Sequence, residues 1–200
     1  MKKMFSLLSL LALAAGLNAQ ELSAEDRAAG LAYLEKTRAG VVDAAKGLSD
    51  AQLNFKPAPD KWSVAQVLEH IASAEDMLFG MASGQAMAGP ARPTGDNVKE
   101  IDALILTAIP DRTQKRSAPE PLIPTNRYGS AAEALKHFDE SRARTFAFVK
   151  DGKELRAHAI ESPLGKNLDP YEWALFIAAH SERHTKQILE VKANPAFPKS

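Results

Sequence analysis

Cysteine is absent from this 200-residue chain. That absence excludes disulfides, a thiol nucleophile and thiolate metal ligands, and it leaves stability to an apolar core or a bound ion. An excess of either charge is missing too, because 25 Lys and Arg face 25 Asp and Glu. No long stretch is dominated by one sign, so nucleic acid and anionic membrane are not expected as partners. The glycine-rich phosphate loop, the serine nucleophile motif and the His-Glu-x-x-His zinc-protease signature are all missing. Without that glutamate, no obvious general base accompanies the histidines described below. Strand-period alternation does not stand out, and no internal repeat is apparent.

What is present begins with a basic start at Lys2 and Lys3, an apolar stretch from Phe5 to Ala15, and a small-residue exit at Gly16-Leu-Asn-Ala19. This order predicts a secretory signal peptide cleaved after Ala19, hence a periplasmic or extracellular protein. The apolar run is too short to span a bilayer. No cysteine follows it for lipidation, so no stable membrane anchor is expected after cleavage. Residues 20–200 are then one domain, and 45% hydrophobic content across the chain is enough for a real core.

Four helix starts share one chemistry: Ser23, Ser63, Ser130 and Asp169 each offer a capping oxygen, with Asp26, Gln66, Glu133 and Glu172 three residues on. Pro170 takes the favoured first helical position, and Trp62 can staple to Val67. The expected helices are 24–48, 64–88, 131–150 and 170–193, with Asn194-Pro195 stopping the last. A long connection from Gly89 to Gly129 separates the second from the third, with one short amphipathic helix inside it on Ile101, Leu104, Ile105 and Ala108. A break of this length crosses the bundle or covers a site. The fold class is all-α, a four-helix bundle with a long connection between helices 2 and 3.

The last helix places Trp173, Ile177, His180, His184, Ile188 and Val191 on one stripe. Two imidazoles four residues apart, offset by a rise of about 6 Å, lie where core side chains belong. Polar rings on a buried stripe need a partner, and two ring nitrogens can converge on one cation. His70, on the second helix beside Gln66, Ala74 and Met77, is the third donor, with Ala74 leaving room for its ring. His70, His180 and His184 would leave an open coordination position, as catalytic sites do. The bland reading is three core histidines bonded to carbonyls. Gln187, one turn past His184, is a candidate for bonding a coordinated water or substrate, or for solvation alone. His137 reads as surface and His158 as loop; Glu182 and Arg183 read as surface or interhelix contacts, and Trp173 as core.

These residues carry a family resemblance. The run Leu53-Asn-Phe-Lys-Pro57-Ala-Pro-Asp-Lys-Trp62-Ser63 to His70, and the run Tyr171-Glu-Trp173 to His180-Ser-Glu-Arg183-His184-Thr-Lys-Gln187-Ile188, resemble the DinB-like superfamily of metal-binding four-helix bundles. The resemblance spans about 24–193. It implies a bundle with an unusual long crossover, frequent homodimers, and a divalent ion such as zinc or nickel on His70, His180 and His184. It also implies metal-dependent chemistry on a small molecule, in some relatives thiol transfer or isomerisation. A signal peptide departs from that pattern, because the relatives' thiols are cytoplasmic. The expected function is therefore an exported metal-dependent hydrolase or thiol-dependent transferase. A non-catalytic metal-binding or stress-related bundle stands as the alternative, and an interaction module with core histidines as a third reading.

Overall fold

The computed structural model describes residues 21–199, so the leader expected at 1–19 lies outside the described residues. Among the described residues six α-helices form: α1 (Ala24–Ala45), α2 (Asp50–Asn54), α3 (Val64–Gly80), α4 (Val98–Ala108), α5 (Ala131–Asp151) and α6 (Pro170–Lys192). The four long ones are α1, α3, α5 and α6, and the long connection runs between α3 and α5. Each starts at its expected cap, with Ser23, Ser63, Ser130 and Asp169 accepting from the backbone N–H three residues on. The reciprocal bond closes a full capping box only at Ser63–Gln66 and Asp169–Glu172 among these four. Asp26 is instead drawn to Lys99 of α4.

Helix ends differ from expectation for local reasons. The first helix stops at Ala45 rather than 48, because Gly47 sits at φ 71°, a left-handed conformation open to glycine. Ser49 and Gln52 then cap a new short helix, α2. The second helix is α-helical only to Gly80 and continues to Ala86 as a π-helical segment. The short helix expected around 101–108 begins earlier, at Val98, capped by Asn97. A small antiparallel pair, β1 (Ile160–Glu161) with β2 (Asn167–Leu168), was not expected, since two-residue strands are too short to show an alternating pattern. Among the described residues no helix is long and apolar enough to cross a membrane.

Around the bundle, α6 packs on α1 and α3, and α5 packs on the same two, so α5 and α6 face each other across the diagonal. The apolar interior falls into two clusters. One is centred on Leu34, Leu78, Ile105, Val149, Trp173 and Ile177, the other on Val41, Val67, Ile71, Phe138, Ile188 and Val191. Between them runs a polar waist. Arg142 of α5 donates to both oxygens of Glu75 on α3 (2.7 and 2.9 Å), to the Leu34 carbonyl and Thr37 hydroxyl of α1, and to Ser181 of α6 (2.8 Å). Thr145 adds a bond to Glu75. All four helices are tied at this level, beside the turn that carries His180 and His184.

The N-terminus of α6 is fixed by a second buried network. Arg156 bonds Asp102 of α4 (3.0 and 2.6 Å), Asp169 and Glu172, while Arg92 grips Glu172 with two bonds of 2.9 Å. Tyr171 passes so close to α1 that a Cβ on Gly30 would lie 2.6 Å from its ring. These contacts set the height of α6, and therefore of its histidines, against the rest of the bundle.

Candidate metal centre

The His70 ring enters from α3 and the His180 and His184 rings from the adjacent α6. Residues four apart stack on one helical face, which is why both α6 rings can meet a single ring from the next helix. The three Nε2 atoms form a near-equilateral triangle with sides of 3.3 Å (His70–His180), 3.1 Å (His70–His184) and 3.1 Å (His180–His184). Each residue offers one ligand atom, and no Asp or Glu joins the group among the described residues.

The protons decide what this triangle can be. His70 Nδ1 lies 2.9 Å from the Leu122 carbonyl, which can only accept, so Nδ1 carries the hydrogen and Nε2 presents a lone pair. His184 Nδ1 lies 2.8 Å from Gln187 Oε1, which demands the same tautomer. Two lone pairs 3.1 Å apart then have no proton of their own between them, a pairing relieved by a cation in front of both or by a hydrogen on the neighbouring His180 Nε2. Protonation is a poor remedy. Burial pushes all three rings below the ordinary histidine value, reinforced at His180 by His70, Arg183 and Arg142, and at His184 by His180, His70 and Arg112. Neutral imidazoles with converging lone pairs are the donor set of a divalent ion. Zinc–nitrogen bonds of about 2.0–2.1 Å in a tetrahedral shell put donors about 3.3–3.4 Å apart. The observed triangle fits that size.

Burial differs among the rings: His70 and His184 are buried, and His180 is half-buried. His180 Nδ1 has no hydrogen-bond partner among the described residues. Trp62 lies beside His70, with ring centroids 4.9 Å apart and the planes tilted by 47°.

The long connection supplies the outer contacts, as a covering segment would. Glu69, next to His70, accepts from the backbone N–H groups of Thr125 (2.7 Å), Asn126 (2.8 Å) and Arg127 (3.2 Å) and from the Arg127 guanidinium. Burial alone would raise its pKa; the four donors outweigh it and hold the carboxyl below its usual value. Neighbouring positions on α3 thus grip one loop twice, Glu69 at 125–127 and His70 at 122. On the other side, Arg183 donates to the carbonyls of Ile109, Asp111 and Gln114. The sequence pattern did not single out Glu69. A carboxylate beside a candidate ligand on a helix followed by the long connection was the available signal.

Replacing Glu69 with glutamine should cost about 1–3 kcal/mol, because the amide keeps one acceptor and turns a donor toward a second backbone N–H. Urea unfolding measures the loss. Faster amide exchange confined to 122–127 would locate it, while unchanged protection there would show that other contacts hold the loop.

The remaining candidates fall elsewhere. Gln187 Oε1 lies 2.8 Å from His184 Nδ1, on the side of the ring away from the Nε2 triangle. Gln66 is absorbed by the capping box. His137 is half-buried and pairs with Asp76 on α3 (2.6 Å), and His158 bonds the Gly89 carbonyl (2.9 Å), so neither reaches the triangle. Arg183 is buried rather than on the surface, because three carbonyls of the connection surround its guanidinium. Glu182 makes the interhelix contact, accepting from Tyr33 of α1. Trp173 is core.

Comparison with known proteins agrees with this architecture. The model of the DinB superfamily matches residues 33–188. The uncharacterized protein YuaE of Bacillus subtilis (strain 168) is 30% identical over 148 residues, covering 74% of this chain and 87% of that protein. The solved structure of YfiT from Bacillus subtilis, described as a probable metal-dependent hydrolase with an unusual four-helix bundle topology, superposes with a TM-score of 0.55. Its identity is 17%, over 90% of this chain and 93% of that one.

Proposed function

The chain belongs to the DinB superfamily, and from that premise we propose that it is a metal-dependent hydrolase whose divalent ion is held by His70, His180 and His184. The observation that carries the reading is the Nε2 triangle, with two of its lone pairs fixed from behind and no carboxylate joining it among the described residues. Three protein donors leave a coordination position for water or substrate, which separates catalytic from closed structural sites. A divalent ion bound there would supply Lewis acidity, polarising a carbonyl and lowering the pKa of a coordinated water toward neutrality. The chain's own residues keep the three rings neutral by burial, orient two of them, and leave the half-buried His180 on the accessible side. Zinc and nickel both suit three imidazoles, and availability selects between them.

Two further considerations favour water over a thiol as nucleophile. The fold neighbour YfiT is described as a probable metal-dependent hydrolase. Export, read from residues 1–19, would place the protein away from the cytoplasmic thiol pool. The test uses protein beginning at residue 20, loaded with Zn²⁺ or Ni²⁺, against a panel of small esters, amides and thiol-conjugation substrates. Expected is ester or amide hydrolysis that a chelator abolishes and added ion restores. Turnover indifferent to chelator would overturn the reading, as would thiol conjugation without any hydrolysis.

A further inference from the structure

We propose that Arg112 and Gln187 are a positioning pair that fixes the tautomer of His184, so that the long connection decides which nitrogen of that ring can bind an ion. The inference rests on the reading of the three histidines as ligands. An amide side chain beside His184 Nδ1 has two possible orientations of nearly equal shape. With oxygen facing the ring, Nδ1 carries the hydrogen and Nε2 keeps its lone pair for the cluster. With NH₂ facing the ring, Nδ1 must accept, and Nε2–H points at His70 and His180, where it blocks coordination.

Arg112 makes the choice. Its guanidinium has donors only, and Nη1 lies 3.4 Å from the same Gln187 atom that faces His184. An NH₂ group there would meet donors from one side and lose its alternative; an oxygen accepts from both. Arg112 is itself clamped by two 2.6 Å bonds to Glu190, one turn along α6 from Gln187. Its backbone lies in the stretch whose carbonyls at 109, 111 and 114 receive Arg183. The relay therefore runs Glu190, Arg112, Gln187, His184. His70 needs no such selector, because the Leu122 carbonyl has one role only. Outer partners of this kind typically change metal affinity tenfold to a hundredfold.

The test reads the tautomer of His184 by long-range ¹H–¹⁵N correlation in ion-free protein, and Zn²⁺ affinity by competition with a chromophoric chelator. Wild type is expected as the Nδ1–H form. Gln187→Leu should populate both tautomers and weaken Zn²⁺ binding about tenfold to a hundredfold. Gln187→Glu presents oxygen in either orientation and should restore the tautomer and most of the affinity. Arg112→Ala, on the connection rather than the bundle, should shift both readouts in the direction of Gln187→Leu by a smaller factor, and it serves if Gln187→Leu fails to fold. An Nε2–H tautomer in wild type, or Gln187→Leu binding Zn²⁺ as tightly as wild type, would overturn the pairing. Wild type that binds no Zn²⁺ would instead sink the metal reading, and the ion-free spectra would still decide the tautomer.

Discussion

His184→Ala is expected to abolish stoichiometric zinc binding, weakening affinity by about a hundredfold or more, well beyond what loss of an outer partner costs. Two features of the site set the size. The ring is one of three donors, so its loss leaves a pair of imidazoles on different helices with no chelate ring between them. Like His70, it is a donor whose tautomer is held from behind, here by Gln187, so little conformational cost attends its binding. The change should be visible without any substrate. An ion at a thousand times its dissociation constant stabilises the folded state by about 4.1 kcal/mol, which for a chain of this size is a rise of about 8–16 °C in Tm. Wild type should show that rise on addition of Zn²⁺, and His184→Ala should show almost none. The ion-free variant should melt no lower than ion-free wild type by more than the lost packing requires, because removing one ring relieves a lone-pair contact of 3.1 Å. Equal zinc-induced shifts in both proteins would rule out His184 as a ligand.

The helices and the three histidines were legible because each leaves a local mark. A cap residue with an acceptor three positions on is a pattern within one turn, and all four long helices obey it at Ser23, Ser63, Ser130 and Asp169. A polar ring on an apolar stripe is likewise visible on one helix. His70 was harder, since its face looked like the flank of α3. In the structure the 122–127 loop bonds Glu69 and His70 on that flank, and Tyr128 reaches Ser73, and all three α3 residues are buried. Coverage by a segment fifty residues away has no signature in periodicity. The tautomer partners were invisible for the same reason: the Leu122 carbonyl and the Arg112 guanidinium reach the site only through the path of the long connection. The polar waist is a different case. Arg142 falls four residues after Phe138 and seven before Val149, on the buried stripe of α5, and Glu75 falls four after Ile71 on α3. A charge on an apolar stripe is the same kind of signal as a histidine there, and opposite charges on two stripes imply each other.

That waist carries the other large effect. Arg142→Met removes the donors to Glu75, Thr37 and Ser181 in a layer where both charged side chains are almost fully buried, at 2% and 1% exposure. An unpaired carboxylate in such a place costs about 3–5 kcal/mol, and Glu75→Leu should cost a similar amount by stranding the guanidinium. The double variant Arg142→Met/Glu75→Leu is expected to recover most of the loss, because desolvating two charges offsets much of what their attraction gives and methyl groups fill the same space. Urea unfolding of the ion-free proteins closes the cycle, and a coupling energy near zero would mean that the two side chains do not act as a pair. Stability is only half of the expected result. Ser181 is the α6 anchor of the waist and follows His180 directly, so the apolar layer frees α6 to slide or turn against α3 and α5. The double variant should therefore fold nearly as well as wild type and bind Zn²⁺ about tenfold more weakly. In that outcome the buried ion pair serves the geometry of the histidines more than the stability of the fold; zinc affinity unchanged in a stable double variant would assign it to folding alone.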